Sequence, residues 1–521
     1  MKRWISFLLL AAISICLLMG CGKKAPEPEK PQVFSAGFAK VDISPKVSLP
    51  LDGYSGANEA KNRWSNFTEK PLYVTCTAIT DEKGTTVLVL TLDLLNAATS
   101  DTLRPVIAEA VGVPTERIIF HCTHTHSSVA LNIAEPAVMD YISQLTESAI
   151  SASRQALEDR KPVTALETGF SRTEYCNSVR HYLLSNGEYI AYTGAKVPEG
   201  ATWYGYTSDA DNLLQVVKFT RDGCKPIVLV NWQAHPCAAV NKKTVTSDYP
   251  GILRETLEQD LDCHAVYIQG AAGNLMTATE LASEKMKFDR NYLQLGQLLA
   301  EKAVEAISNS RPVELTDISM QEKKLEMQDK YGNNRNLSLY GFSIGQFAMV
   351  TAPFEVFDTN AMAVKETSPF QMTFFASCAN GAGGYLPTPE SFDWNQNYEA
   401  RITSFPKGTA ESVQAAQTQL LSDLFATTGQ ATVEKPDGYV RPAYEPKSDG
   451  VIYYRSVYSV ADFQPVQNGF YIFEALDEKG NRVKLLVKDM AVAQQIVDTP
   501  AAQYLFDQQN VVVGLAAADT N

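Results

Sequence analysis

Three of the six histidines in this chain lie within six residues, as His121, His124 and His126. On a strand, side chains two residues apart point the same way, so His124 and His126 could face one cation, or one ligand and one acid–base group. His121 is out of phase with this pair. Polar histidines that merely end a strand also produce a His-x-His pattern, so the pattern alone leaves both interpretations open.

Two residues far along the chain could complete a metal site. His235 ends the apolar run "IVLVNWQAH", where it could equally be a hydrogen-bonded loop residue, and Glu355 follows the apolar stretch "FAMV". Because an unpaired buried carboxylate is costly, Glu355 needs a partner; the alternative to a metal is a salt bridge in a loop. Two or three imidazoles with one carboxylate suit zinc, with one position open for a water whose pKa falls to about 7. The sequence therefore predicts one Zn²⁺ per chain.

The elements that must position these residues alternate between short apolar strands and helices from about residue 34 onward. This order predicts an α/β fold, with a mixed or mainly parallel sheet flanked by helices. In such sheets ligands gather where strands end, and the candidate residues fall at such places. The predicted strands cover 85–95, 117–124, 225–235 and 264–275, and the predicted helices cover 100–112, 136–160, 248–261 and 291–309.

Both ends of the chain differ from this body. Residues 1–20 read as a bacterial lipoprotein signal peptide, and the sequence "LMGC" at 18–21 makes Cys21 the acylated first residue of the mature protein; an uncleaved anchor helix is the alternative. The protein is therefore expected outside the cytoplasm, lipid-anchored to the bacterial cell membrane. Residues 21–33 form a Pro-, Glu- and Lys-rich linker, and 34–430 form the main domain. Residues 445–521 are expected to form a small β-rich domain with a hairpin turn at "DEKGNR".

Charge and cysteine usage exclude several classes of protein. The formal net charge of −14 makes the chain a poor nucleic-acid binder, because the phosphate backbone demands a basic face. Seven of the nine cysteines remain once Cys16 and Cys21 are set aside, and their odd number and irregular spacing are not typical of a disulfide scaffold. The absence of a Cys-x-x-Cys pair argues against a thiolate zinc site. The sequence leaves open the alternative that one or two disulfides form, without assigning their cysteines.

Eight segments along residues 35–420 resemble, in order, the catalytic domain of the neutral/alkaline (non-lysosomal) ceramidase family. The most specific of them is "THTHS" at 123–127. The others are "AGFAKVDISPKVSLPLDGYSG", "KPLYVTCTAI", "VLTLDLL", "NWQAHPCA" with "SDYPG", "YIQGAAGNL", "APFEVF" and "GYLPTPESF".

The resemblance implies a zinc-dependent amidase and assigns roles position by position. The implied zinc ligands are His124, His235, Glu355 and Tyr385. The family has two nearby tyrosines in the last motif, and Ala382 stands at the earlier place, so this chain lacks a ligand if the earlier tyrosine is the one that binds. The remaining assignments are catalytic roles for His126, Arg180 and Asn274. The alternative for Arg180 is a solvent-exposed charge in a loop. Asp93 and Asp248 are assigned as acids that orient the imidazoles.

Three departures from the family's pattern concern the parts that would meet a ceramide. Met276 stands in the place of the family's active-site serine, Asn274 in the place of an aspartate, and 128–130 read Ser-Val-Ala in place of Gly-Pro-Gly. The expected function is hydrolysis of an amide bond in an N-acyl lipid or a related small molecule, as in sphingolipid metabolism. The alternatives are a non-catalytic surface lipoprotein that binds a ligand and a metal-dependent esterase.

Overall fold

The computed structural model describes residues 33–54, 63–173, 176–184, 187–191, 199, 203–208, 210–239, 242–277, 291–394 and 397–440, together with the strands beyond residue 450. The expected signal peptide 1–20, Cys21 and all but the last residue of the linker 21–33 lie outside these residues. Within the described ranges, no helix combines the length and apolar character needed to cross a membrane.

The strands are numbered here in chain order. Those of residues 33–440 are β1 Ser35–Asp42, β2 Phe67–Thr68, β3 Tyr73–Thr80, β4 Thr86–Leu92, β5 Ile118–Cys122, β6 Lys161–Arg172, β7 Asn177–Val179, β8 His181–Leu184, β9 Tyr189–Ala191, β10 Trp203–Tyr206, β11 Leu213–Arg221, β12 Ile227–Trp232, β13 Thr244–Val245, β14 His264–Gln269, β15 Leu275–Thr277, β16 Arg311–Val313, β17 Ser319–Gln328, β18 Asn334–Ile344, β19 Phe347–Thr351, β20 Glu355–Val356, β21 Met372–Ala376 and β22 Tyr385–Leu386.

The helices are numbered in the same way. They are α1 Ser100–Val111, α2 Pro136–Glu158, α3 Asp248–Leu261, α4 Asn291–Ser308, α5 Asp358–Thr367, α6 Tyr398–Ile402 and α7 Thr409–Thr428, with 3-10 turns at Thr115–Arg117 and Glu390–Asp393.

The largest sheet is mixed. Its order is β14-β12-β11-β6-β1-β3-β4-β5, with β16 also paired to β6. Only the end pairs β12–β14 and β4–β5 are parallel among the described pairs of this sheet. The predicted α/β fold is confirmed, and of the two arrangements left open the mixed sheet is the correct one. The continuous apolar run in β4 reflects burial on both faces; β4 lies between the antiparallel β3 and the parallel β5.

The two main sheets pack face to face, and helices cover the outer face of each, which gives four layers. A second sheet, β17-β18-β19-β21, packs on the large sheet through a shared core that includes Val89, Ile119, Phe342 and Phe374. The other face of the large sheet is covered by α1 and α2 and by α3 and α4. The outer face of the second sheet is covered by α5 and α7. The sequence pattern did not predict this second sheet as a separate layer.

The C-terminal segment contributes β23 Val451–Ile452, β24 Tyr454–Ser456, β25 Gln464–Pro465, β26 Tyr471–Asp477, β27 Arg482–Val487, β28 Tyr504–Leu505 and β29 Val511–Gly514. Strands β26 and β27 form the antiparallel hairpin predicted around "DEKGNR". The division into domains at 34–430 and 445–521 stays a prediction.

Candidate metal centre

The loop after β5 carries two of the candidate histidines. Strand β5 ends at Cys122, two residues earlier than predicted, and His124 has a left-handed backbone with φ of +68°. The assumption that His124 and His126 share a face of a strand is therefore wrong. The loop nevertheless brings their Nε2 atoms to 3.4 Å from each other, because the left-handed turn redirects the chain at His124.

Five of the predicted site residues lie together. The ligand atoms of His124, His126 and His235 are all within 4.8 Å of one another, and all three side chains are buried, so this group could hold a metal ion. Glu355 Oε2 lies 3.3 Å from His124 Nε2 and 3.1 Å from His235 Nε2. The hydroxyl of Tyr385 lies 3.3 Å from His235 Nε2.

Glu355 and Tyr385 come from two short strands that form a parallel pair. The two residues are register partners in β20 and β22, and the Glu355 N–H donates to the Gly384 carbonyl at 2.9 Å. Gly383 is required here because a Cβ would lie 2.2 Å from the Phe354 ring. Ala382, at the earlier tyrosine place of the motif, is exposed, so in this chain it is Tyr385 that reaches the histidines.

Close backbone packing fixes the other side of the site. Gly53 has φ of +110°, and a Cβ there would lie 2.7 Å from the Cα, and also 2.7 Å from the Cβ, of His126. The carbonyl of His126 accepts a hydrogen bond of 2.6 Å from Arg63 Nη2. The Gly-rich turn after β14 approaches just as closely, since a Cβ on Gly273 would lie 2.5 Å from the Glu355 carbonyl oxygen.

Backbone carbonyls set the orientation of two imidazoles. His124 Nδ1 lies 2.6 Å from the Leu95 carbonyl and His235 Nδ1 lies 2.9 Å from the Leu275 carbonyl. Because a carbonyl only accepts, each Nδ1 must carry a proton and donate it. In the neutral rings both Nε2 lone pairs then point at the same carboxylate oxygen, that of Glu355.

This arrangement requires a positive charge at its centre. One proton on His124 would satisfy His124 and Glu355 but would leave the lone pair of His235 facing the carboxylate. A divalent cation accepts both lone pairs and the carboxylate at once, and imidazole with carboxylate is a typical zinc ligand set. The donor set therefore fits a metal ion. His126 differs from the other two histidines, because its Nδ1 is buried and has no hydrogen-bond partner among the described residues.

The electrostatics agree with this geometry. Burial lowers the pKa of His126 and His235, so both rings are neutral and able to bind a cation at neutral pH. Burial opposes ionisation of Glu355, but His124 and His235 outweigh it and hold the pKa of the carboxyl well below its usual range. Burial likewise disfavours a charged His124, yet Cys378 and Glu355 raise its pKa well above the usual value. The position between these side chains thus attracts positive charge.

Arg180 lies beside this group and is buried, so the alternative of a solvent-exposed loop charge is wrong. Its Nε donates to Glu399 Oε1 at 2.5 Å, and its Nη2 donates to the Gly273 carbonyl at 2.9 Å. Its Nη1 lies 3.4 Å from the sulfur of Met276. The guanidinium is thus engaged by the protein on several sides.

The remaining candidates lie elsewhere. Asn274 and Asp358 exchange two hydrogen bonds, of 2.7 and 2.9 Å, which tie the Gly-rich turn to the start of α5. The amide of Asn274 is therefore occupied away from the histidines. His121 faces the core, where its Nε2 accepts the Gln269 N–H at 3.0 Å and burial lowers its pKa to about 3.

The expectation that two acids orient the imidazoles is not met. Asp93 accepts hydrogen bonds from Arg254, Thr123 and the Tyr73 N–H. Asp248 accepts from backbone N–H groups, at 2.9 Å from Ala239 and 2.7 Å from its own neighbour in α3. The orienting groups are the carbonyls of Leu95 and Leu275 instead.

Two neighbours of the site were missed in the sequence. Cys378 has φ of +52° and places its sulfur 3.5 Å from His124 Nδ1; the turn-forming "SCANGAGG" was the available signal. Glu399 is fully buried and pairs with Arg180 and His181. An acid in a five-residue helix gives no sequence signal of burial.

The fold and the site together define a layered α/β protein with a candidate metal centre formed by the segments after β5 and β12 and by the β20–β22 pair. The chain is similar to a solved ceramidase complexed with C2, with 14% identity, a TM-score of 0.62, and 88% of this chain and 90% of the other covered. It is also similar to the neutral ceramidase from Pseudomonas aeruginosa, with 15% identity, a TM-score of 0.62, and 91% and 92% covered. No family model matches the chain, and a search of curated proteins gives no significant match. The chain has the fold of the neutral ceramidases, which confirms at this level the resemblance of its motifs.

Proposed function

We propose that this protein is a zinc-dependent hydrolase of the neutral ceramidase type that cleaves an amide bond in an N-acyl lipid. The observation that carries the proposal is the convergence of two imidazoles, each anchored through Nδ1, on one carboxylate oxygen of Glu355. The fold shared with two ceramidases supports the reaction type.

In this proposal His124, His235 and Glu355 hold the zinc, and Tyr385 supplies a fourth contact from beside His235. A bound Zn²⁺ supplies a Lewis acid that activates water and polarises a carbonyl at neutral pH. Because each Nδ1–H is donated to a backbone carbonyl, both rings would bind the zinc through Nε2, with the ion displacing the proton from His124 Nε2. Glu355 contributes the negative charge that makes the site selective for a cation.

His126 has the proposed role of moving a proton. Burial keeps its ring neutral, and no acceptor among the described residues fixes its Nδ1 proton. Its tautomer is therefore free to change, unlike those of His124 and His235. A neutral imidazole with an unfixed tautomer can take up a proton during water attack and return it to the leaving amine.

The test combines zinc analysis of the purified protein with a panel of N-acyl amide and ester substrates. We expect about one Zn²⁺ per chain, loss of zinc and of turnover in His235→Ala, and retained zinc with about 10²-fold or greater loss of turnover in His126→Gln. His264→Gln is the matched control, because His264 stacks on Phe38, away from the other histidines.

Retention of zinc and full activity in His235→Ala would refute the metal assignment. Zinc binding without turnover of any substrate would favour the non-catalytic alternative, and turnover of esters alone would favour an esterase.

The cellular location is a separate proposal. We propose that acylated Cys21 tethers the protein to the outside of the bacterial cell membrane, on the strength of the "LMGC" sequence. Incorporation of a labelled fatty acid into the wild type, but not into Cys21→Ala, is the expected result. Labelling of both proteins would refute it.

A further inference from the structure

A buried charge network lies next to the candidate metal centre. Glu399 has no exposed surface, and each of its carboxylate oxygens has a partner: Oε1 accepts from Arg180 Nε at 2.5 Å, and Oε2 lies 2.9 Å from His181 Nε2. The Arg180 side chain is 8% exposed and that of His181 is fully buried. Because a desolvated charge is costly unless it is paired, Glu399 sets the position of both partners.

Arg180 connects Glu399 to the residues of the centre. Its guanidinium carbon lies 5.5 Å from the middle of the Tyr385 ring, and its Nη2 bonds the Gly273 carbonyl. The N–H of Gly273 in turn donates to the Val356 carbonyl at 2.8 Å, in the strand that carries Glu355. Arg180 therefore touches both the aromatic side chain of one short strand and the turn that packs on the other.

The helix that carries Glu399 holds Tyr385 from a second side. The ring of Tyr398, in α6, lies 5.8 Å from that of Tyr385, nearly perpendicular to it. Just after α6, the Thr403 hydroxyl donates to the Tyr385 carbonyl at 2.8 Å. Tyr385 is thus fixed at its backbone and at its ring, which places its hydroxyl 3.3 Å from His235 Nε2.

We propose that Glu399 is a positioning residue of the metal centre: through Arg180 it holds Tyr385 beside His235 and Glu355. The inference rests on the proposed function, since it concerns how tightly the centre holds its metal. Groups behind metal ligands typically contribute 10- to 100-fold to metal affinity. A purely structural salt bridge would change stability and leave metal affinity unchanged.

The test measures Zn²⁺ affinity by competition with a chromophoric chelator, and the visible spectrum of the Co²⁺-substituted protein, for full-length variants. We expect Glu399→Gln to weaken Zn²⁺ binding about 10-fold and to alter the Co²⁺ spectrum. Glu399→Asp, which keeps the charge, should lose less. Asp159→Asn, which breaks the remote ion pair with the buried Arg221, is the matched control and should leave both readouts unchanged.

A double-mutant cycle identifies the route of the effect. If Glu399 acts through Tyr385, then Glu399→Gln added to Tyr385→Phe should weaken Zn²⁺ binding little beyond Tyr385→Phe alone. Additive losses, or Zn²⁺ affinity in Glu399→Gln equal to wild type, would overturn this inference while the proposed function stands. A wild-type protein that binds no Zn²⁺ would overturn the proposed function and this inference together.

Discussion

Glu399 carries a buried negative charge whose removal has a calculable effect on folding. Burial disfavours the ionised carboxyl, but the interactions with Arg180 and His181 outweigh it and lower the pKa from 4.5 to about 2. A difference of this size corresponds to about 3 kcal/mol of folding free energy. Because the pKa is lower in the folded protein, this stabilisation is present above pH 4.5 and is lost as the pH falls towards 2.

Replacing Glu399 by glutamine removes the charge and leaves Arg180 buried without its counter-ion. We expect Glu399→Gln to be about 3 kcal/mol less stable than wild type at pH 7, at the lower end of the usual cost of breaking a buried pair. The difference in unfolding free energy should narrow as the pH is lowered from 4.5 to 3, because Glu399 then takes up a proton in the unfolded wild type while it stays ionised in the folded protein.

The difference in free energy of unfolding between wild type and Glu399→Gln can be measured by urea unfolding at a series of pH values. A chelator is present to exclude bound metal. Glu326→Gln, at an exposed position of β17, serves as the control and should unfold like wild type at every pH. A gap of the same size at pH 7 and pH 3, or a gap below about 0.5 kcal/mol at pH 7, would refute the reasoning.

Three further outcomes are expected. Gly53→Ala should abolish most turnover, because its Cβ would lie 2.7 Å from His126; near-normal kcat/KM would contradict this. Burial raises the pKa of Asp248 from 3.8 to about 7, so the contribution of this carboxyl to the free energy of unfolding should fall as the pH rises from 4 to 7. In urea unfolding the wild type should therefore lose stability relative to Asp248→Asn over this range, and a pH-independent difference would count against the assignment. Removal of zinc should lower the Tm of the wild type but not that of His235→Ala, because only a protein that binds the ion is stabilised by it. Calorimetry measures both Tm values, and equal shifts in the two proteins would argue against the metal centre.

The helices were the most predictable part of the fold. Gly112 ends α1 with φ of +73°, as expected for a glycine stop, and α3 spans the predicted residues 248–261. These boundaries depend on local signals that a short stretch of sequence contains. The layering of the two sheets depends on a shared core whose members, such as Val89 and Phe342, are far apart in the chain, and apolar runs alone do not specify which faces meet.

The sequence predicted which residues lie at the candidate centre, but not how the backbone brings them together. Strand ends and the family resemblance together named His124, His235, Glu355 and Tyr385, which the structure brings within contact. The left-handed turn at His124 could not be inferred, because only a few per cent of non-glycine residues adopt that backbone and the pattern resembled a strand. Glu399 was missed because its burial is decided by packing against Arg180 and His181.

The use of main-chain oxygens at Leu95 and Leu275 to orient the rings of His124 and His235 has an evolutionary consequence. Neither acceptor can be replaced by a point mutation or neutralised by acid, as a carboxylate could. The orientation of the two rings is set by the backbone conformation, so the surrounding side chains can be substituted without changing it. That freedom offers a physical reason why a solved ceramidase with 14% identity can share this fold over 88% of the chain.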